Sequence, residues 1–188
     1  MVAQSGVRRI LAISGSLRQR SSNTELLRAF ALLAAPTLEV MLETGLGELP
    51  HFNPDLEGHE PPTVIAFRGR LRDADAVVIS SPEYAHGIVG ALKDALDWVV
   101  GSGELSGKPV ALFNASPRAS LAHESLAEVV RTMDAKLVAE AGLNLPLLGK
   151  NLDAKAIAEN PDMAAAIKTA VDGLVRAIEA ASSSESNR

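Results

Sequence analysis

Short apolar runs alternate with amphipathic helical patterns along most of this sequence, and this alternation constrains the fold more than any other feature. Such alternation is typical of βαβ units, whose strands lie parallel in one sheet. The apolar runs predict five strands, at residues 10–13, 38–42, 76–80, 109–113 and 137–139. The periodic segments predict helices at residues 23–34, 62–71, 91–100, 123–133 and 162–181. The expected fold class is α/β, a doubly wound five-stranded parallel sheet with helices on both faces.

Length and composition are compatible with one domain that has a full hydrophobic core. The chain has 188 residues, of which 47% are hydrophobic and 22% charged, ordinary values for a globular protein. We expect residues 1–181 to form this domain and the polar residues 182–188 to form a disordered tail. Residues 1–6 are too short and polar for a signal peptide, and no apolar run approaches the roughly 18 residues that span a bilayer. These features predict a cytoplasmic protein with no membrane partner.

Charge and residue usage exclude several kinds of partner. The net charge is −5, without the clusters of Lys and Arg that nucleic-acid binding requires. The chain has no cysteine, so disulfides, thiolate metal sites and cysteine nucleophiles are excluded. His51, His59 and His123 lie in separate segments without metal-ligand spacing, and the acidic residues around His59 are typical of a solvated loop. The sequence therefore predicts no metal site.

The loop after the first predicted strand, residues 14–24 and here called the first loop, has the composition of an anion site. It leads into a helix N-terminus, whose N–H groups and partial positive charge favour a phosphate. It contains no acid. Its candidate donors are the hydroxyls of Ser16, Ser21, Ser22 and Thr24, the amide of Asn23 and the guanidinium of Arg18. The structural alternative is a capped helix with solvated arginines, in which Ser22 or Asn23 is the N-cap.

The first loop lacks the commonest nucleotide-binding fingerprints. It contains neither G-x-G-x-x-G nor G-x-x-x-x-G-K-[ST]. Side-chain hydroxyls in place of glycines indicate one terminal phosphate rather than a pyrophosphate. This favours a mononucleotide, with FMN as the leading choice. Because doubly wound sheets bind ligands at the carboxyl ends of their strands, the loops after the first, third and fourth predicted strands are expected to form the site.

The segment after the third predicted strand carries a second motif. Residues 81–98 read S-P-E-Y-A-H-G-I-V-G-A-L-K-D-A-L-D-W, and residues 15–23 of the first loop read G-S-L-R-Q-R-S-S-N. We call residues 81–90 the third-strand loop. At this separation, the two motifs resemble those of the NADPH-dependent FMN reductase family, which has a flavodoxin-like fold and includes bacterial quinone, chromate and azo-dye reductases. The resemblance covers about residues 9–138.

The resemblance implies a role for each matching position. It assigns Ser16, Arg18, Ser21 and Asn23 to the phosphate of FMN. It places Pro82, Glu83, Tyr84, and the backbone of Ala85 and His86, along the isoalloxazine ring. It places Ser116 at the pyrimidine end of the ring. The cofactor carries the hydride chemistry, so no catalytic acid, base or nucleophile is required.

The resemblance also implies the reaction and the partners. NADPH or NADH would reduce the flavin and leave, and a quinone, nitro compound, azo dye, metal oxyanion or free flavin would then take the electrons at the same face, in a ping-pong scheme. Members are usually homodimers or homotetramers with the flavin near a subunit interface. Two other classes stay open, a non-enzymatic electron carrier like flavodoxin and a mononucleotide or sugar-phosphate binding protein. Reduction of bound flavin by NADPH alone would distinguish the reductase from both.

Two places depart from the family pattern. The family often has Asn after the tyrosine, whereas this chain has Ala85 followed by His86. His86 is either a proton donor at the substrate entrance or an ordinary exposed loop histidine. The loop after the fourth predicted strand, residues 114–120 and here called the fourth-strand loop, lacks the glycines of many members. Its Arg118 either contacts the phosphate of NADPH or an anionic electron acceptor, or is only a solvated side chain.

Overall fold

The computed structural model describes residues 7–116, 118 and 120–185. Its elements in chain order are β1 (Arg8–Ser14), α1 (Ser22–Ala34), β2 (Leu38–Glu43), α2 (Pro62–Asp73), β3 (Ala76–Ser80), β4 (Glu83–Tyr84), β5 (Gly87–Ile88), α3 (Gly90–Val100), β6 (Pro109–Asn114), α4 (Ser120–Thr132), β7 (Lys136–Leu137), β8 (Leu143–Asn144), α5 (Ala154–Glu159) and α6 (Pro161–Glu185). Short 3-10 turns lie at Leu46–Glu48, Pro54–Leu56 and Ala139–Ala141. None of the described helices has the length and apolar character needed to cross a membrane.

The central sheet follows the order β2-β1-β3-β6-β7, and every pair of neighbouring strands is parallel. The chain moves outward from β1 to one edge, then returns past β1 to β3 and the other edge, which is the strand order of flavodoxin-like sheets. A later part of β6 pairs with β8, so two short strands share the fifth position. The predicted α/β class is confirmed, and this pair replaces the single fifth strand that the sequence predicts.

Side chains of the central strands alternate between two hydrophobic layers. In β1, Ile10 belongs to the layer that includes Phe30 of α1. Leu11 belongs to the opposite layer, with Phe67 of α2 and Leu96 of α3. Burial on both faces explains why the strands are continuous apolar runs in the sequence. Helices therefore cover both faces of the sheet, as predicted.

The Gly- and Pro-rich segment between β2 and α2 is an ordered loop that packs on α3. Trp98 of α3 is 4% exposed, and its ring contacts the ring of Phe52 edge-on at 5.1 Å. The Trp98 indole N–H donates to the Pro50 carbonyl at 2.8 Å. These contacts fix α3, the helix that directly follows the third-strand loop.

Three further features of the structure differ from the predictions. The third-strand loop contains the β4–β5 hairpin, and the short α5 precedes α6; the sequence predicts neither. α6 continues through residues 182–185, which the sequence assigns to a disordered tail; residues 186–188 of that tail lie outside the described part of the chain. The Ser182 and Ser183 hydroxyls donate to backbone carbonyls one turn earlier, at 3.0 and 2.9 Å, a contact that serine side chains make within a helix.

Candidate active site

The first loop and the third-strand loop leave the sheet side by side. β1 and β3 pair with Ser14 opposite Ser80, so both strands end at the same level. The Gly15 N–H donates to the Ser80 carbonyl at 2.9 Å, which extends the contact by one residue into the first loop. The two motifs therefore meet where the strand order switches, which is where doubly wound sheets bind ligands.

Gly15 is required because the two loops pack closely. A Cβ atom at this position would lie 2.5 Å from the Ser81 Oγ and 3.1 Å from the Val89 Cγ2. The first of these distances is far shorter than a van der Waals contact between heavy atoms. The first loop can lie against the third-strand loop because residue 15 has no side chain.

A cavity of about 570 Å³ opens at this edge of the sheet, a size typical of small-molecule sites. Four segments line it: the first loop, the third-strand loop, the fourth-strand loop and residues 148–151 after β8. All the residues predicted to bind a cofactor line this cavity except Thr24. The sequence analysis missed Leu148, Gly149 and Asn151, which are distant from both motifs in sequence and reach the cavity only through the fold.

The first loop presents its donors to the cavity. The N-cap of α1 is Ser21, rather than Ser22 or Asn23, and the Ser21 side chain makes no capping hydrogen bond. The N–H groups of a helix's first turn have no partner within the helix, and two residues of that turn, Ser22 and Asn23, line the cavity. Arg18 and Arg20 line it as well. Both arginines are exposed, and the helix N-terminus is not capped by the side chain of its own N-cap residue.

Buried hydroxyl and amide groups support the first loop from the side of the sheet. Thr24 is 8% exposed, and its hydroxyl lies 2.8 Å from the hydroxyl of Ser14. The Ser14 hydroxyl also accepts from the Ser16 N–H at 3.3 Å. The Ser80 hydroxyl donates to the Asn23 Oδ1 at 2.8 Å. Thr24 thus holds the loop to β1, and Asn23 holds it to β3.

The third-strand loop turns back through the hairpin, in which Tyr84 pairs with Gly87. The two residues of the turn, Ala85 and His86, have positive φ angles of 50° and 62°, which is the type I′ arrangement. Left-handed backbone costs a residue other than glycine about 1–2 kcal/mol, and such strain is concentrated at functional sites. The Asn that the family often has after the tyrosine adopts this backbone more readily than Ala85 does.

Glu83 connects the hairpin with α4 and with His86. One carboxylate oxygen accepts from the Ala122 N–H at 2.9 Å, and the other lies 3.1 Å from the His86 Nδ1. The Ala122 N–H is the main cause of a lowered pKa at Glu83; desolvation opposes this shift, and the contact with His86 adds to it. Glu83 is therefore a carboxylate at neutral pH, and it caps the first turn of α4 from a distant segment.

The charges around the cavity favour an anionic ligand. Arg18, Arg20 and Arg118 line it, and Glu83 is the one carboxylate among the described lining residues. Both oxygens of that carboxylate already face donors, as described above. Among the described residues, no group of three or more His, Asp and Glu side chains is placed to hold a metal ion.

The fourth-strand loop closes one side of the cavity. The Ser116 N–H donates to the Asn114 side-chain oxygen at 2.9 Å, and the Ser116 hydroxyl accepts from the Arg118 N–H at 3.3 Å. Ser116 and Arg118 both line the cavity. Pro117 and Ala119 of this loop lie outside the described residues. Local hydrogen bonds thus hold Ser116 at the cavity wall.

The strand order and the cavity at the switch point define a flavodoxin-like α/β protein. A sequence profile of the NADPH-dependent FMN reductase family matches residues 8–146, a range that includes both motifs. The chain belongs to this family, as the two motifs predict.

Sequence relatives carry related names. The chain is 38% identical to a quinone reductase of Pseudomonas putida over 114 residues, which is 58% of this chain and 61% of that protein. It is 44% identical to a probable NADPH:quinone oxidoreductase of Oryza sativa over 94 residues, which is 48% of this chain and 46% of that protein. The alignments thus span about half to three fifths of the length of these relatives.

Solved structures share the fold over nearly the whole chain. The flavoenzyme NAD(P)H:(acceptor) oxidoreductase FerB of Paracoccus denitrificans superposes with a TM-score of 0.79 at 29% identity, covering 92% of this chain and 98% of that chain. An azoreductase of Bacillus anthracis superposes with a TM-score of 0.57 at 19% identity, covering 93% of this chain and 99% of that chain. The second likeness shows the shared fold alone.

Replacing Gly15 with Ala tests the contact between the two loops. We expect Gly15→Ala to lower the free energy of unfolding by about 1–3 kcal/mol, because the new methyl group overlaps Ser81. Gly69→Ala is the matched control, since a Cβ there would meet nothing nearer than the Arg72 Nη2 at 3.9 Å; in helix α2 it should be neutral or stabilising. Urea denaturation, monitored by circular dichroism, measures the free energy of unfolding of both variants. A Gly15→Ala protein as stable as the wild type would contradict the close packing of the two loops.

Proposed function

We propose that this chain is an FMN-dependent reductase, with a single FMN-binding domain, that uses NADPH or NADH to reduce small electron acceptors. One observation carries the proposal: the two family motifs, far apart in sequence, line the same cavity at the strand-order switch. The donors of that cavity also fit the proposed cofactor. FMN has a phosphate that needs hydroxyl, guanidinium and N–H donors, and a planar ring that needs a flat, partly apolar wall with donors along one edge.

The first loop suits the phosphate. Ser16 and Ser21 supply hydroxyl groups, and Arg18 supplies a charge-assisted donor. The first-turn N–H groups of α1 add the partial positive charge of a helix N-terminus. Asn23 would use its amide N–H₂ group, because its oxygen already accepts from Ser80. A phosphomonoester held this way would have its charge matched by donors from one rigid loop.

The third-strand and fourth-strand loops suit the ring. Pro82 and Tyr84 line the cavity, and the turn at Ala85 and His86 carries backbone N–H groups in a fixed conformation. Ser116 lines it from the fourth-strand loop. Bound FMN would supply the redox chemistry between a reduced nicotinamide and an acceptor. These residues would hold the ring and leave access for the two substrates.

Because the cavity is open, the nicotinamide and the acceptor would reach the same face of the flavin ring, one after the other. The oxidised nicotinamide would leave before the acceptor enters, which is a ping-pong scheme. The proposed acceptors are quinones first, because relatives bear the name quinone reductase, and then nitro compounds, azo dyes, metal oxyanions and free flavin. Arg118 is the proposed contact for an anionic part of NADPH or of an acceptor.

We propose that the chain forms a homodimer or homotetramer with the cavity near an interface. Leu17 of the first loop, Tyr84 and Leu148 are large apolar side chains that are 62%, 55% and 58% exposed. Tyr84 and Leu148 also line the cavity. Exposed apolar groups collected near a ligand site are typical of a surface that another protein covers.

Initial-rate kinetics tests the reductase and its scheme. With the FMN-loaded protein, NADPH and the quinone menadione, we expect steady turnover and parallel lines in double-reciprocal plots at several fixed quinone concentrations. Parallel lines are expected because one product leaves before the second substrate binds. The same assay without FMN provides the background rate. Intersecting lines would contradict the ping-pong scheme, and turnover no faster than the background would contradict the reductase.

Arg18→Ala tests the proposed phosphate contact. We expect this variant to bind FMN about tenfold more weakly, because one charge-assisted hydrogen bond is lost. Titration of FMN by quenching of its fluorescence gives the dissociation constant. Arg176→Ala, at an exposed position of α6 that does not line the cavity, removes the same charge and should leave FMN affinity unchanged. Equal affinities of the two variants would show that the first loop does not bind the phosphate through Arg18.

A further inference from the structure

His86 stands at the cavity wall and is held there by a carboxylate. Its side chain is 80% exposed and lines the cavity, and its Nδ1 lies 3.1 Å from one oxygen of Glu83. The other Glu83 oxygen accepts from the Ala122 N–H, so α4 fixes the position of the carboxylate. The imidazole is therefore oriented from two sides, by the backbone of the turn and by Glu83.

Glu83 determines which ring nitrogen of His86 remains available for a hydrogen bond to a ligand. An ionised carboxylate only accepts hydrogen bonds, so the neutral imidazole keeps its proton on Nδ1. In the imidazolium form, Nε2 carries a proton as well and becomes a donor. An oriented imidazole with its second nitrogen directed away from its carboxylate partner is a common form of proton donor in enzymes.

Other ionisable groups lie around this pair. The cavity wall also contains Arg18, Arg20, Tyr84 and Arg118. α4, which packs against the hairpin, carries His123 and Glu124 in its first turns. Burial lowers the pKa of His123, and Glu124 opposes this shift, so His123 is largely neutral at pH 7. Among the described residues, Glu83 is the group recorded within hydrogen-bond distance of the His86 ring.

We propose that His86 donates a proton to the acceptor as the acceptor is reduced, and that Glu83 is its positioning residue. The inference rests on the proposed function, since it concerns the acceptor half of that reaction. A quinone needs two electrons and two protons to become a hydroquinone. A hydride equivalent, which comes ultimately from NAD(P)H, supplies both electrons and one proton. The imidazolium Nε2–H of His86 supplies the second proton to the quinone oxygen, and the neutral imidazole then regains a proton from water.

The kind of acceptor separates this role from a structural one. Menadione needs a proton from the protein, whereas ferricyanide takes one electron at a time and no proton. A histidine that only shapes the cavity would affect both acceptors. A histidine that donates a proton affects the quinone, and its effect fades as the pH rises and the imidazolium is lost.

The test follows reoxidation of the FMN-loaded protein by stopped flow, between about pH 6 and 9, after reduction with dithionite in the absence of oxygen. The variant is His86→Asn, because Asn tolerates the positive φ of this position. The matched control is His59→Asn, in an exposed turn that does not line the cavity. Visible absorbance measures the flavin content of each protein, and thermal denaturation measures its stability.

We expect His86→Asn to slow reoxidation by menadione roughly 100-fold at neutral pH, within the usual range for general acid catalysis. Reoxidation by ferricyanide should be unchanged, and His59→Asn should match the wild type with both acceptors. The wild-type rate with menadione should fall as the pH rises, and this fall should be absent in His86→Asn. Equal slowing with both acceptors, or no slowing with menadione, would overturn the inference.

Two further readouts separate this inference from the proposed function. Because dithionite replaces the pyridine nucleotide, a flavin that NADPH fails to reduce would contradict the proposed reductase without affecting the result for His86. Nitrogen-15 NMR of the ring should show the Nδ1–H tautomer for neutral His86 in the wild type. Observation of the Nε2–H tautomer would contradict the role of Glu83 whatever the rates.

Discussion

The parallel pairing of β1 with β3 determines where everything else in the site lies. Ser14 lies opposite Ser80, so the loops that follow these strands begin at the same level and run next to each other. The contact leaves no room for a side chain at position 15. Beneath it, the hydroxyl pair of Ser14 and Thr24 and the bond from Ser80 to Asn23 tie the first loop to both strands. These contacts bring two motifs that are distant in sequence to the walls of one cavity.

The charges around the cavity fit the flavin cofactor that we propose for it. Three arginines and a helix N-terminus face the region, while the carboxylate of Glu83 is satisfied by the Ala122 N–H and by His86. Excess positive character favours an anionic cofactor and anionic substrates. In the proposed reductase the cofactor would perform the redox step, so the chain would be required mainly to bind and orient. Proton supply to the acceptor would be the step that calls for a side chain, and His86 of the hairpin is the donor that we propose.

Much of the fold could be predicted because β1, β3 and β6 are buried on both faces and therefore stand out as apolar runs. The doubly wound strand order predicted where a ligand site would lie. The two motifs predicted that the first loop and the third-strand loop would line it. The hairpin could not be predicted, because its turn residues Ala85 and His86 lack the Asn-Gly or Asp-Gly signal of a type I′ turn. The position of Thr24 could not be predicted either, since a hydroxyl near a helix N-terminus can face a ligand or the strand behind it.

Other parts of the site depend on long-range contacts that no local pattern encodes. Leu148 and its neighbours reach the cavity because β8 continues the line of β7 along β6 and carries the chain back to the site. Glu83 contacts His86 three residues away, but its other partner, the Ala122 N–H, comes from the start of α4. Such contacts arise when elements pack, so the sequence shows the donors and acceptors but not how they pair.

An absorption spectrum of the FMN-loaded protein, recorded without oxygen before and after addition of NADPH, shows whether this cavity is the site of a reductase. We expect visible bands of bound flavin that bleach when NADPH is added and return when a quinone follows. A protein that binds no FMN, or one whose bound FMN stays oxidised in the presence of NADPH and of NADH, would contradict the assignment of this cavity as the active site of a reductase.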